Sequence, residues 1–417
     1  MNTPQRQDSL VNPPTRVEID RAADDSGDAL PLTRRRVLRV VGGTAAFIAV
    51  AAVAGGAARA VDRGVFATGE GPAYAAWLEQ GGEGPLSLVR AAVLASNAHN
   101  TQPWLFRVEP TGIDLFADTT RGTGANDPLG RELVISLGCA LENLLLAAAP
   151  NGFLATPTLF PDPAELKHVA RVDLTPAAPA GSPLYGAIPN RHTNRAAYTE
   201  VPIGAETLAA MTDLNDTADV ALVWLTTPEE KAAFGALTIA ATEAFTADTE
   251  QSVDSFAWWR NDWDEMQRLK DGLTLDAAGL PPLTRALVKM MPDISRAESD
   301  QAWLKSTREP QLATAAAFGI VVGRDHRAAA QRIEAGRLFQ RLHLWATAEG
   351  MAMQPINQTV ERRDRELSAG LSPDIGTALD APMPEPGWQA MMPFRIGYPG
   401  ETPLKSPRRP AAEVVVA

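Results

Sequence analysis

Between Glu132 and Ala149 the chain is apolar on nearly every side: Leu133, Ile135, Leu137, Leu141, Leu144, Leu145 and Leu146 leave no polar face, and the run stops at Pro150-Asn151-Gly152. A helix of that pattern belongs in the centre of a molecule, with other structure packed around it. The chain has material for those layers, since 417 residues at 45% hydrophobic composition suffice for roughly two to three domains. Leu86 to Leu94 reads as a short helix with Pro85 at its first turn. Trp104–Val108 and Ile113–Ala117 alternate about Pro110-Thr111-Gly112 and predict a hairpin. Residues 155 to 187 are strand-like and then turn into the Pro/Ala/Gly-rich linker 175–181, after which a new globular pattern starts near Asn190. Val220–Leu225 and Ala315–Val322 read as strands, Glu229–Thr249, Asp254–Lys270 and Asp325–Glu349 as helices, and Pro393–Tyr398 as a last strand. The expected fold class is α+β with helices dominant. Asp271 to Pro282 has few apolar anchors and is a lid candidate.

Charge and motif searches narrow the function. The 38 Lys+Arg against 50 Asp+Glu give a formal charge of -12, which argues against a nucleic-acid partner held by a global phosphate-attracting field. The single cysteine, Cys139, sits in the apolar helix as a small buried hydrophobe. It excludes an intrachain disulfide, and the five histidines have neither H-x-x-x-H nor H-x-H spacing, so no metal site is expected. G-x-G-x-x-G after a strand, G-x-x-x-x-G-K-[ST], G-x-S-x-G and H-E-x-x-H are all missing. Dinucleotide-type Rossmann binding, phosphate-loop hydrolysis and the commonest serine hydrolase layout are therefore disfavoured.

The N-terminus has its own logic. Residues 1–32 are polar and lack an apolar period, so they are read as disordered. Thr33-Arg34-Arg35-Arg36-Val37-Leu38-Arg39, an uncharged stretch from Val40 to Ala58, and Ala58-Arg59-Ala60 follow in export-signal order. The paired arginines resemble a twin-arginine signal, which delivers folded proteins to an export machinery. The alternative is a retained membrane anchor over about 40–58, close to the roughly 17 to 25 residues a span needs. Either places the protein outside the cytoplasm or on the membrane.

Two polar constellations remain. Asn97, Asn100 and Gln102 lie between a helix end and a strand start. Arg191, Thr193 and Arg195 are spaced two apart, so in an extended segment all three point to one side, where two guanidinium groups and a hydroxyl suit a phosphate or an anionic ring edge. Less specific readings stay open: surface ion pairs for Arg191 and Arg195, a cap and turn for the amides, a mobile tail for Arg408 and Arg409, and core packing for Trp258, Trp259 and Trp263.

Together these stretches resemble the nitroreductase superfamily. Asn100-Thr101-Gln102-Pro103-Trp104 looks like its N-x-Q-P-W signature, Arg191-x-Thr193-x-Arg195 its R-x-[ST]-x-[RK] opening, and Ile396-Gly397-Tyr398-Pro399 with Lys405 and Arg408-Arg409 its C-terminal ending. Residues 127–152 resemble its buried central helix and 350–358 the loop that passes the flavin. Each motif occurs once, and N-x-Q-P-W is in the opposite half from the others. The resemblance implies a nitroreductase-like fold duplicated in one chain as an intramolecular pseudo-dimer, similar to the twin-domain FMN-binding Acg family. Its parts would be a signal or anchor over 1–60, a first half over 61–187, and a second half over 188–417 carrying a lid at about 254–305.

The roles that follow are those the resemblance implies. Arg191 and Thr193, with Lys405, Arg408 or Arg409, would hold the FMN phosphate, and Arg195 would face the ring edge that gains negative charge on reduction. Asn97, Asn100 and Gln102 would add directional hydrogen bonds, and Met353, Gln354 and Pro355 would line the ring. Ala98 stands where the family often has Ser. No protein side chain is assigned the chemistry, and neither His99 nor His192 is given a catalytic role. The expected activity passes electrons from NAD(P)H through FMN to a small electron-poor acceptor; the alternative is a non-catalytic flavin store closed by the lid. A monomer is expected, because the pseudo-dimer consumes the usual subunit interface.

Overall fold

A computed structural model describes residues 59–79, 81–381, 383 and 387–417. The segment 1–58, which carries the expected signal or anchor, lies outside the described residues. In the first half run α1 (Leu86–Ala92), β1 (Trp104–Glu109), β2 (Gly112–Ala117), α2 (Arg131–Ala148), β3 (Phe153–Leu159), β4 (His168–Pro176) and α3 (Pro183–Ala187). The middle of the chain forms α4 (Ala205–Thr212), β5 (Val220–Leu225), α5 (Pro228–Ala247), α6 (Thr249–Phe256), β6 (Trp259–Arg260), α7 (Trp263–Leu269), β7 (Leu273–Thr274), α8 (Pro282–Lys289) and α9 (Arg296–Ser306). The rest is β8 (Ala317–Gly323), α10 (Ala329–Ala348), β9 (Ala352–Pro355), α11 (Gln358–Ala369), α12 (Asp374–Asp380), β10 (Gln389–Gly397), α13 (Ala411–Val414) and β11 (Val415–Val416).

Two sheets organise these elements. One has the order β11-β1-β2-β4-β3, the other β5-β8-β10-β9. The second is antiparallel throughout; in the first, only the β1–β11 pairing is parallel. The expected hairpin is present, paired from Trp104↔Ala117 to Glu109↔Gly112, but β2 does not alternate, being buried along nearly its whole length. The chain's end thus returns to the first half, where β11 extends its sheet and the Arg408 N–H donates to the Ala73 carbonyl at 2.7 Å.

Three expectations are corrected. Asp254–Lys270 is not one helix: α6 ends at Phe256, and α7 starts afresh because Asp262 accepts from the Glu265 N–H at 2.7 Å. Residues 350–358 are not simply a loop, since 352–355 form β9 on the edge of β10. The last strand is β11 rather than β10.

The all-round apolar run becomes α2, buried along nearly its whole length. It is long and apolar enough to cross a membrane, yet 78% of its apolar window is buried inside the protein, as a core helix must be. Its start is fixed by Asp127, whose carboxylate accepts from the N–H groups of Glu132 at 3.0 Å and Leu133 at 2.8 Å. Its partner is α10, and glycine sets their closeness. A Cβ built on Gly138 would fall 2.2 Å from the Ile333 carbonyl oxygen, and one on Gly336 would fall 2.1 Å from that of Ile135. The contact is reciprocal, each glycine meeting the residue three positions before the other. One hydrophobic core runs through this crossing, joining Leu88, Phe106 and Leu141 to Phe339, Met353 and Phe394.

Candidate functional site

The 97–104 segment leaves α1 in an unusual backbone. His99, Asn100 and Gln102 have φ of 47°, 56° and 53°, three of the five non-glycine residues with positive φ among the described residues. Each costs about 1–3 kcal/mol and persists only where surroundings over-determine it. Here they do. The Asn97 Oδ1 accepts from the Gln102 N–H at 2.8 Å, and Asn100 Nδ2 donates to the carbonyls of Gly272 at 3.2 Å and Pro407 at 2.9 Å. Gln102 Nε2 donates to the Lys270 carbonyl at 2.8 Å while its Oε1 accepts from the Arg409 N–H at 2.8 Å. The segment knots three distant stretches of chain together.

Beside this knot is a small polar pocket of about 30 Å³ whose wall includes Asn97, Asn100, Arg191, Thr193, Arg195 and Arg408. Among the described residues no carboxylate lines it. The alternate spacing of 191, 193 and 195 therefore does bring all three to one place, and Arg408 arrives from the far end of the chain. Arg191 is 2% and Arg408 4% exposed. Arg191 donates to the Leu94 carbonyl at 3.1 Å and to His343 Nδ1 at 3.4 Å, and Arg408 donates to Asn100 Oδ1 and, at 3.2 Å, to the Ala95 carbonyl. The Nε of each has no hydrogen-bond partner. Burial pulls Arg191 and Arg195 down to about 10, and Arg408 well below the ordinary guanidinium range, because no anion compensates them. His343, with its Nε2 on the His192 carbonyl at 3.3 Å, is kept neutral by burial and by Arg191.

The pocket shares Ser96, Asn97, Thr193, Arg195, Leu273 and Ala277 with a larger cavity of about 350 Å³. One wall is α2, through Glu132, Ile135, Ser136 and Cys139; another is Gln354, Pro355 and α11. The roof is mostly apolar and comes from 255–306, including Phe256, Trp259, Leu280, Leu287, Met291 and Trp303. Residues of the 254–305 segment line the cavity, Trp259 among them, but 271–282 is not a loop with few anchors: Asp271 pairs with Arg121 and Arg260, and Asp276 with Lys289. Trp258 instead packs with the guanidinium groups of Arg121 and Arg260, each 5.5 Å from its ring.

Four of the expected residues lie off both cavities. Met353 is fully buried in the core. Lys405 lies over Trp77, its Nζ 5.9 Å from the ring. Gln102 and Arg409 bind one another, so Arg409 is anchored rather than part of a tail. Gln102→Ala is expected to cost about 1–3 kcal/mol in urea unfolding, because it leaves the half-buried Lys270 carbonyl and Arg409 N–H without partners. An unchanged unfolding midpoint would show that water replaces both bonds. Sequence reasoning passed over Trp77, His343, Glu132 and Glu361, whose importance depends on neighbours far away in the chain.

No protein family model matches the chain. A Mycobacterium tuberculosis H37Rv protein provisionally named NAD(P)H nitroreductase Rv3131 is 38% identical over 145 residues, 34% of this chain and 42% of that protein, so the match spans under half of the relative's length. A second protein of that strain, provisionally named NAD(P)H nitroreductase acg, is 25% identical over 335 residues, 79% of this chain and 94% of its own. Among solved structures, a Desulfitobacterium hafniense nitroreductase with bound FMN aligns with a TM-score of 0.34 at 12% identity, over 57% of this chain and 99% of that one. The chain is therefore similar, over most of its length, to a mycobacterial protein that carries the nitroreductase name.

Proposed function

We propose that the chain is an FMN-dependent oxidoreductase of nitroreductase type, built as two nitroreductase-like halves that form one flavin site between them. The observation that carries this reading is the pair of buried arginines, Arg191 and Arg408, whose Nε donors lack partners in a pocket without a carboxylate among the described residues. Buried cations left in that state call for an anion. The pocket opens into an apolar cavity of about 350 Å³, so the ligand that fits has an anionic end and a flat apolar body. FMN has that shape, and the relatives' names give nitroreductase chemistry with NAD(P)H, an electron transfer that a flavin performs. The reciprocal glycine contact of α2 with α10 supports the pseudo-dimer, because it is the self-complementary pattern of a two-fold interface.

In this reading Arg191, Arg408 and Thr193 hold the phosphate, and Arg195 lies towards the ring. Asn97 lines both spaces and orients the junction, while Gln354 and Pro355 bound the cavity. Bound flavin would supply hydride transfer between NAD(P)H and an electron-poor acceptor. The chain's own part is to bind and orient, under an apolar roof that includes Phe256, Trp259 and Trp303. Export through the twin-arginine machinery and a monomeric state complete the proposal on sequence grounds.

The test is an absorbance spectrum of the purified protein before and after anaerobic NADH or NADPH. A flavin band that bleaches is the expected result. A yellow protein that stays oxidised with both reductants would replace the enzyme reading with flavin storage under the lid. A colourless protein that FMN cannot reconstitute would overturn both.

A further inference from the structure

In the cavity wall, α2 and α11 bring Glu132 and Glu361 together. Both are buried, at 3% and 5% exposure, and both line the cavity. Their carboxyl oxygens and a His99 ring nitrogen lie within 4.8 Å of one another. Two buried carboxylates at that separation repel one another, and a proton held by one of them relieves the repulsion.

The surrounding charges favour one. Asp127 and Asp364 add two further buried carboxyls beside the pair. Arg131, Arg332 and Arg363 are the buried guanidinium groups of the same cluster; Arg131 Nε lies 2.6 Å from Asp364 Oδ2, and Arg363 NH2 lies 3.0 Å from Asp364 Oδ1. Asp127, Glu132, Glu361, Asp364 and Asp380, the last 3.9 Å from Arg363, outnumber these three arginines, and Arg195 on the same cavity acts on His99; a proton on one carboxyl reduces the excess negative charge. His99 and His326 do not supply the balance, because burial holds each at about 4 and hence neutral at pH 7.

The partners locate the proton. Glu132 Oε1 accepts from Asn357 Nδ2 at 2.7 Å and from Arg131 NH2 at 3.4 Å, both of which favour its ionised form. Among the described residues no N–H donates to the Glu361 carboxyl, which places the proton on Glu361 rather than Glu132. Burial pushes Glu132 up to about 7, and burial with Glu132 beside it pushes Glu361 well above the usual carboxyl range.

Resting on the flavin reading above, we propose that Glu361 is the general acid of the cavity: it gives the proton it holds beside Glu132 to the acceptor that takes up hydride. The balance is that of a two-electron reduction. The acceptor gains a hydride, carrying both electrons, from reduced flavin and H⁺ from the Glu361 carboxyl, and leaves with two added hydrogens. The O–H bond of Glu361 breaks, and the resulting carboxylate regains a proton from solvent before the next turnover. The substrate class is an acceptor whose reduced form needs that proton, rather than one that takes electrons alone.

Two measurements on the FMN-loaded full chain test this. At pH 7 the infrared carbonyl stretch of a protonated carboxylic acid should be present in the wild type, shift in D₂O, and vanish in Glu361→Gln. Dithionite-reduced protein mixed with 1,4-benzoquinone, which takes up protons with its electrons, should be reoxidised about 10²-fold more slowly in Glu361→Gln, measured relative to ferricyanide, which takes electrons alone. If Glu361→Gln fails to fold, Glu132→Gln, which removes the neighbouring carboxylate, should alter the same band. Absence of the band from the wild type, or an unchanged benzoquinone-to-ferricyanide ratio, would overturn the proposal. So would stoichiometric Zn²⁺ binding in calorimetry that Glu361→Gln abolishes, since the cluster would then be a metal site. A colourless protein that still has the band would sink the flavin reading and the delivery step with it, leaving the buried proton in place.

Discussion

Arg191→Met is expected to weaken FMN binding by roughly 30- to 4,000-fold while leaving the flavin-free protein at least as stable as the wild type. The two effects have opposite signs for one physical reason. A charged group taken out of water costs several kcal/mol unless an anion or a full set of acceptors compensates it. In the flavin-free protein Arg191 has the Leu94 carbonyl and His343 as partners, and its Nε has none. Methionine of similar length removes that charge and keeps most of the packing, so the melting temperature should hold or rise, with a gain of about 1 kcal/mol. With FMN present the guanidinium faces a dianion, and its loss removes charge-assisted bonds in a buried setting. Quenching of FMN fluorescence measures the first effect and thermal unfolding of flavin-free protein the second. Wild-type affinity in Arg191→Met would remove the arginine pocket as the phosphate site. Unchanged FMN binding together with a large loss of stability would make Arg191 a structural residue.

What the sequence could and could not reveal divides along the range of the forces involved. The buried helix α2 was legible because its pattern is local, with every face apolar. The β1–β2 hairpin was legible for the same reason, from two short strand-like runs about a Pro-Thr-Gly turn. Arg191, Thr193 and Arg195 could be placed on one side because an extended backbone alternates its side chains. The break after Phe256 was missed, since the apolar spacing carries on through 254–270 and the new start depends on a single cap at Asp262. Residues 360–366, Val-Glu-Arg-Arg-Asp-Arg-Glu, look like a solvated helix face, yet Glu361, Arg363, Asp364 and Glu366 are buried. Their burial is tolerable only because Arg131, more than 200 positions earlier, reaches Asp364. Gln102 and Arg409, which find each other across most of the chain, are a case of the same kind.

Gly138→Ala is expected to destabilise the protein by about 3 kcal/mol or more, and Gly336→Ala by a similar amount. A methyl group at either position meets backbone rather than a side chain: a carbonyl oxygen at 2.2 or 2.1 Å and the facing glycine Cα at 3.0 or 2.9 Å. Neither neighbour can rotate away, so α2 and α10 must separate. Gly186→Ala is the control, since nothing lies within 4 Å of a Cβ there, and it should be neutral or gain up to about 1 kcal/mol. The double variant discriminates further. Once the first methyl has pushed the helices apart the second enters open space, so Gly138→Ala/Gly336→Ala should cost about as much as either single change, far below their sum. Urea unfolding of the four variants gives the coupling directly; additive costs would mean that the two glycines serve separate contacts and would remove the reciprocal crossing as support for a pseudo-dimer. The effect should also reach the site, because α2 carries Glu132 and Ser136 into the cavity while α10 holds His343 against Arg191. Separating the helices pulls the acidic wall away from the arginine pocket, so a folded Gly138→Ala protein should lose FMN affinity although residue 138 lines neither space.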